Sequence, residues 1–270
     1  LWHCETPLLR TAPIPLYHLS RLVRENGLKV VLTGEGADEV FGGYDIFKEN
    51  KIRRFWARYP DSTFRCRLLE KLYPYIFRDT RARKMMHRFF GQGLSDTANP
   101  LYSHMIRWMN TGRTKHFFSQ ELTAETSKYD PFEDIRAMLP SDFNLRSGFE
   151  QAQYLEMKLF MSNYLLSSQG DRVAMANSVE TRFPYLDYRL IEFMSRVPAK
   201  WKIRGLKEKY ILKKLMEKIL PPPIVHRPKH PFRAPISPGL AGKNVRERIS
   251  EKDIVDAGLF DWQEVSLLLG

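Results

Sequence analysis

Two cysteines, Cys4 and Cys66, are all that the 270 residues contain, which is too few for a disulfide framework. Neither sits in a CxxC pair, and no HExxH spacing points to zinc. Such cysteine usage predicts a reducing, cytoplasmic setting. The sequence also lacks a basic stretch leading into a short apolar one, and no apolar run is of membrane-spanning length, so neither a leader peptide nor a membrane span is expected. Acidic residues are in deficit, 31 against 43 Lys and Arg, for a formal charge of +12. That excess could meet nucleic acid, anionic lipid or a phosphorylated small molecule. No RNA- or DNA-binding motif accompanies it. Much of it lies between Lys48 and Arg88, where KENKIRRFWARYP and RCRLLEKLYPYIFRDTRARKMMHRFF interleave basic and aromatic residues at roughly helical spacing. This predicts amphipathic helices with a solvated basic face, in preference to a nucleic-acid surface. With 43% hydrophobic and 13% aromatic residues the chain has enough apolar material for a substantial core.

Segment by segment, a Pro-rich entry ends at Pro15. LYHLSRLVRENG then places Leu16, Leu19, Leu22 and Val23 on one helical face, with Gly27 as the C-terminal stop. Lys29-Val-Val-Leu-Thr33 is short, β-branched and apolar, as expected of a strand buried on both faces of a parallel sheet. After Tyr44 the pattern is mainly helical, broken by Pro60, Pro74, Pro100 and Pro140, with a polar stretch near Ser119 to Ser127. Between Phe149 and Leu166 two apolar stripes, Tyr154, Met157, Met161 and Tyr164 beside Leu155, Leu159 and Leu166, predict a deeply buried helix. GLKEKYILKKLMEKIL is a further helix, ended by Pro221-Pro222-Pro223.

The chemistry concentrates in VVLTGEGADEVFGGY, from Val30 to Tyr44. Ligands of open α/β sheets collect beyond the carboxyl ends of strands, where glycines let the backbone approach closely and a following helix offers free N–H groups. Gly34 and Gly36 supply that access, and a helix starting near Ala37 would carry Asp38 and Glu39 in its first turn with Glu35 just ahead. Acidic residues also favour an ordinary capped turn. Three carboxylates crowded together nevertheless repel unless a cation or a protonated partner sits among them, and Mg²⁺ held by carboxylates and substrate phosphates is the usual solution. Farther on, DRVAMANSVETRFPYLD sets Asp171, Arg172, Glu180, Arg182 and Asp187 among apolar residues, which predicts a supporting network of arginines and carboxylates before a ligand role.

Taken in order, VVLTGEGADEVFGGY, DRVAMANSVETRFPYLD and GLKEKYILKKL resemble the synthetase domain of the asparagine synthetase family, the glutamine-dependent bacterial enzymes in particular. The resemblance runs from about Pro13 to about Pro235 and is weakest between Asn50 and Gly148. It implies an α/β fold of the ATP pyrophosphatase type (adenine nucleotide alpha hydrolase-like), a doubly wound parallel sheet with a large helical C-terminal part. Residues 1–48 would form the sheet and nucleotide edge and residues 49–270 the mainly helical part. The implied reaction uses ATP and Mg²⁺ to activate the side-chain carboxylate of aspartate as β-aspartyl-AMP. Pyrophosphate leaves, and ammonia from a glutaminase domain of the same full-length chain gives asparagine. Thr33 and Gly34 match the turn near the nucleotide, Glu35 the glutamate around the acyl-adenylate step, Asp38 the aspartate of the Mg²⁺ and pyrophosphate site, and Lys209 the lysine that reaches the phosphates. Glu35 and Lys209 should then face one cleft. Small-molecule substrates are the implied partners, without nucleic acid or membrane, and a homodimer is compatible with the resemblance.

Departures matter as much. The family's Ser-Gly-Gly-x-Asp-Ser phosphate loop is absent, as is the cysteine-initiated glutaminase domain, so the chain is expected to be the C-terminal portion of a longer protein, truncated inside its sheet and inactive alone. Ala37 replaces a frequent Ser. Relatives that close β-lactam rings or amidate peptides and sugars keep the fold with another acceptor, although GEG in place of a tyrosine-bearing turn favours ammonia as nucleophile. A non-catalytic helical binding module is the remaining alternative, which would have no need of Glu35, Asp38 and Lys209 together.

Overall fold

The computed structural model describes residues 2–8, 10–75, 77, 79–227, 229 and 249–269. The end of the family resemblance, residues 230–235, lies outside them. The chain divides into two compact units, Leu1–His104 with Asn144–Ala234, and Met105–Phe143 with Pro235–Gly270.

In chain order the first unit contains α1 (Pro13–Glu25), β1 (Val30–Leu32), α2 (Ala37–Phe41), α3 (Asp45–Ala57), α4 (Leu68–Leu72) and α5 (Thr80–Gly91). Helix α6 (Tyr102–Gly112) leads into the second unit, which holds α7 (Gln120–Thr126) and α8 (Pro131–Ala137). The first unit resumes with α9 (Gly148–Leu155), a π-helical stretch over Glu156–Asp171, α10 (Arg172–Met175), β2 (Glu180–Arg182), α11 (Tyr188–Arg196), α12 (Ala199–Lys202), α13 (Tyr210–Met216) and α14 (Pro222–Val225).

Strand β1 pairs in parallel with β2, in the register Val30 to Glu180, Val31 to Thr181 and Leu32 to Arg182. The ladder is extended by Glu180 N–H to the Lys29 carbonyl and by Thr33 N–H to the Arg182 carbonyl, at 2.8 and 2.9 Å. The strand is not buried on both faces as its composition suggests: Val30 and Leu32 are 40% and 74% exposed. Among the described residues β1 has one neighbouring strand, and only the side of Val31 and Thr181 is covered, where the Thr181 hydroxyl donates to Asp171 Oδ1 at 2.6 Å. The parallel pairing agrees with an ATP pyrophosphatase-type fold; the rest of a doubly wound sheet is not among the described residues.

Three helical expectations change. Leu19 and Leu22 of α1 face outward, because the helix is held on the opposite side by polar contacts: Ser20 Oγ donates to the Val173 carbonyl, and Asn177 donates to Ser20 Oγ and the Tyr17 carbonyl. The stretch after Leu155 is π-helical, so its stripes lose their α-helical spacing, and of the methionine and tyrosine stripe Met161 alone is buried, at 9% exposure. Two of the basic residues of α3, Lys48 and Arg53, leave the expected solvated face, on which Lys51 remains exposed. Arg53, 1% exposed, donates to the carbonyls of Phe90, Gln92 and Tyr102, while buried Lys48 pairs with Asp45 at 2.8 Å and Glu208 at 3.3 Å. Buried polar groups of this kind are tolerated only when their hydrogen bonds are made.

Two apolar clusters position the GEG turn. Ile46 and Phe47 of α3 pack on Ala152 and Ile203, and Val40 and Phe41 of α2 pack with Met194, Ile211 and Leu212. The second cluster joins α2 to α11 and α13, and so fixes the start of α13 beside the start of α2. In the second unit, Phe118 bridges Phe260 in antiparallel fashion, the Ser119 N–H donates to the Leu259 carbonyl at 3.0 Å, and His116 contacts Glu264 at 2.7 Å. Among the described residues no helix is long and apolar enough to cross a membrane.

Candidate functional site

The turn after β1 is built as the glycines require. Gly36 has φ +88° and precedes α2, a conformation that costs an ordinary residue about 1 kcal/mol or more. A Cβ at Gly36 would also lie 2.2 Å from Leu186 Cδ2. Helix α2 starts at Ala37, with Asp38 and Glu39 in its first turn. Having five residues, it contributes little dipole, so side chains rather than the helix end set the local charge.

The three carboxylates do not converge. Glu35 stays in the loop, half-buried, without a hydrogen-bond or ion-pair partner among the described residues. Glu39 turns inward, 1% exposed, and accepts the Tyr44 hydroxyl at 2.7 Å. Burial pushes its carboxyl up despite that hydrogen bond, and burial together with the Glu39 charge pushes the Tyr44 phenol up as well. Asp38 lies between two ammonium groups, with Lys209 Nζ 3.0 Å from Oδ1 and Lys229 Nζ 2.9 Å from Oδ2. The Lys229 contact is a directed hydrogen bond. At Oδ1 the lysine is close but misaligned, and the buried oxygen lacks a true donor among the described residues. Thr33 Oγ1, at the other end of the same turn, is likewise buried without a partner among the described residues.

Lys209 immediately precedes α13 at φ +50°, a left-handed conformation uncommon for a side chain of this size. Its neighbour Glu208 anchors the backbone there, accepting Lys213 at 2.8 Å and Lys48 at 3.3 Å. Burial alone would raise the Glu208 carboxyl, but the Lys213 hydrogen bond and the charges of Lys48 and Lys213 outweigh it and bring the pKa down to about 2. A carboxylate depressed in the fold stabilises it above the ordinary value of 4.5, and that contribution fades as pH falls towards about 2. Glu208→Gln should therefore lower stability at pH 7, by about 1 to 2 kcal/mol after allowance for solvent screening, and by progressively less below pH 4.5, read from urea midpoints at a series of pH values. A difference that stays constant with pH would show that the Glu208 charge is not what holds this turn.

A second, uncharged support lies under α2. Gln153 of α9 donates to the carbonyls of Glu39 and Val40 at 2.6 and 3.0 Å and accepts Lys202 Nζ at 3.0 Å. Burial lowers the Lys202 ammonium to about 8, with the Glu150 charge opposing. Sequence reasoning did not single out Lys229, Gln153 or Lys202. Lys229 is one basic residue among 43, with no local pattern to mark it. The amphipathic spacing of α9 gives Gln153 no special status.

Sequence separated Asp38 from Lys209 by most of the chain, and the fold brings them into contact. The expected network of Arg172, Glu180, Arg182 and Asp187 forms instead as three separate pairs: Arg182 with Glu180 at 2.6 Å, Arg189 with Asp187 at 2.7 Å, and Arg172 with Glu5 at 3.6 Å. The physical reason is solvent, since Glu180 and Arg182 lie on the exposed side of β2 and need no buried partners. The Arg189 hydrogen bond holds the Asp187 carboxyl well below its usual range, and Arg172 also donates to the Cys4 carbonyl.

The family model described as Asparagine synthase matches residues 1–270. The chain belongs to the asparagine synthase family. Similar proteins include Asparagine synthetase [glutamine-hydrolyzing] 1 of Bacillus subtilis (strain 168), 29% identical over 87% of this chain and 35% of that protein. Amidase chyE of Penicillium rubens is 27% identical over 97% of this chain and 41% of its own length. Asparagine synthetase [glutamine-hydrolyzing] 3 of Bacillus subtilis is 30% identical over 89% of this chain and 32% of its own length. The chain thus spans between about a third and two fifths of these asparagine synthase family relatives. No solved structure matches.

Proposed function

We propose that this chain is the synthetase portion of an ATP-dependent amide-forming ligase that activates the aspartate side-chain carboxylate as β-aspartyl-AMP and transfers ammonia, derived from glutamine by a glutaminase domain, to give asparagine, AMP and pyrophosphate. The observation that carries the reading is the Lys209–Asp38 pair at the foot of β1. A fixed ammonium there can stabilise charge that develops on phosphate oxygens as the acyl-adenylate forms. The unsatisfied Thr33 Oγ1 and the open space at Gly34, where a Cβ would meet nothing within 4 Å among the described residues, suit a nucleotide beside the turn. Glu35, with no partner among the described residues to occupy it, can accept the proton released when ammonia attacks the adenylate.

Mg²⁺ fits this donor set in one way: a single carboxylate completed by substrate phosphates, as magnesium sites of nucleotide enzymes commonly are. Asp38, whose Oδ1 lacks a true donor, would hold it, and the ion would supply charge neutralisation at the phosphates. Around it the chain's own groups do the remaining work, Lys209 binding phosphate and the Gln153 amide holding α2 in place.

A second reading keeps the adenylate and changes the acceptor. It is favoured by the similarity to amidases, which extends over 97% of this chain. One experiment separates the two. The full-length protein, supplied with ATP and Mg²⁺, should incorporate labelled pyrophosphate into ATP only when aspartate is added, and should release AMP in step with asparagine when glutamine or ammonia follows. Exchange driven by another carboxylate but not by aspartate moves the assignment to the second reading. Absence of exchange with every carboxylate overturns both.

A further inference from the structure

We propose that Arg10, together with the Tyr164 hydroxyl, binds the carboxylate of the acceptor that is not activated, and so sets a preference for a dicarboxylate; this rests on the adenylate-forming reading above. Arg10 lies in the segment before α1, exposed, with its guanidinium carbon 5.1 Å from the centre of the Phe160 ring. Among the described residues no carboxylate pairs with it. An arginine laid on an aromatic face keeps its N–H groups in a fixed plane, and that fork matches a carboxylate. Tyr164 supplies the second observation. Its ring stacks on Phe160 at 5.5 Å, and its hydroxyl is buried without a hydrogen-bond partner among the described residues. A buried phenol usually finds a partner, and an oxygen of a bound anion would provide one. Burial raises the Tyr164 phenol while the Arg10 charge opposes that rise, which puts the two groups within electrostatic reach of each other.

The place is fixed relative to the GEG turn. Phe160 meets the Tyr44 ring edge-on at 6.3 Å, and the Tyr44 hydroxyl is tied to Glu39 of α2. Arg10 thus stands two rings away from the helix that carries Asp38, all within the first unit. The segment bearing it is fastened to the π-helical stretch and its end: the Thr6 and Ser168 hydroxyls share a hydrogen bond at 2.8 Å, and Arg172 donates to the Cys4 carbonyl at 2.6 Å. Adenylation brings one carboxylate to the phosphates beside Lys209, and a dicarboxylate could present either end. A second cation, set apart from Lys209, decides which end is activated by holding the other.

The test uses the full-length protein and aspartate-dependent exchange of pyrophosphate into ATP. Arg10→Met should raise the KM for aspartate by about 10- to 100-fold, the loss expected for one charge-assisted contact, and leave the KM for ATP as it is. Arg10→Lys should recover part of the loss, since the charge returns without the fork. Tyr164→Phe, which keeps the ring stack and removes only the hydroxyl, should raise the same KM by about 3- to 10-fold with no loss of melting temperature; if Arg10→Met melts early, it carries the comparison. Succinate and β-alanine, added as competitors of aspartate, decide the point. Succinate keeps both carboxylates of aspartate, and β-alanine only the one to be activated. Arg10→Met should weaken inhibition by succinate as it weakens aspartate, and leave inhibition by β-alanine unchanged. An unchanged KM for aspartate overturns the inference, and so does a parallel weakening of β-alanine, which would place Arg10 at the activated end. A rise in the KM for ATP of the same size would assign Arg10 to the nucleotide and overturns it too. If wild-type exchange is driven by a monocarboxylate and by no dicarboxylate, the inference falls while the adenylate reading stands; if no carboxylate drives exchange, both fall.

Discussion

Asp38→Asn in the full-length protein should reduce both amide formation and pyrophosphate exchange by about 10²- to 10³-fold, while Glu35→Gln should spare exchange and lose about 10²- to 10⁴-fold in amide formation. The contrast follows from where the two carboxylates sit. Asp38 is held between Lys209 and Lys229, so its neutralisation would change the charge of the proposed phosphate site itself. Pyrophosphate without metal should bind the Asn variant no more weakly than the wild type, since two lysines are left without a carboxylate to satisfy. The metal-dependent steps, in both directions, should fail. Glu35 has no protein partner among the described residues to lose, and Gln keeps a hydrogen bond but cannot accept a proton. Its replacement should cost little stability, which thermal melting will show, and should act after the adenylate has formed. Equal losses of exchange and amide formation in Glu35→Gln would place Glu35 in adenylation instead. Full activity in both variants would leave GEGADE as a capped turn.

What could be read from sequence was the local part of this arrangement. The apolar run to Thr33, the glycines and the start of a helix at Ala37 follow from short-range rules, and the structure places β1 and α2 accordingly. Strand β2 was not legible because Glu-Thr-Arg carries no strand pattern of its own; its extended form comes from pairing with Val30–Leu32. Periodicity also failed to fix the inner face of α1, where Ser20, not Leu19 or Leu22, turns to the core because its hydroxyl finds acceptors there. The divergence of three adjacent carboxylates was equally hidden, since the inward turn of Glu39 depends on Tyr44 five residues on. Lys209 was identified through the family resemblance, and a lysine-rich helix would otherwise have read as solvated. Lys229 had no such flag, and only the tertiary fold reveals that it shares Asp38.

Gly43→Ala should separate stability from activity more sharply than any charged substitution. A Cβ at residue 43 would lie 1.9 Å from Asp38 Oδ1 and 2.3 Å from Lys209 Cε, distances at which no pair of atoms can remain. Both are far ends of flexible side chains. They can move aside at small cost to the fold, so the melting temperature should fall by no more than about 4 °C, the equivalent of roughly 1 kcal/mol in a domain of this size. The Lys209–Asp38 pair cannot survive that movement, and displacement of a positioned group by about 1 Å is enough to cost about 10²-fold in rate. Pyrophosphate exchange should therefore drop by that factor or more in a protein that folds nearly as well as the wild type. Gly36→Ala is the counterpart: its Cβ would meet Leu186 Cδ2 at 2.2 Å in a backbone held at φ +88°, so strain adds to the clash and stability should fall together with activity. If Gly43→Ala retains full exchange, the space between α2 and α13 is not where the phosphates are held, and the assignment of Asp38 and Lys209 to them fails with it.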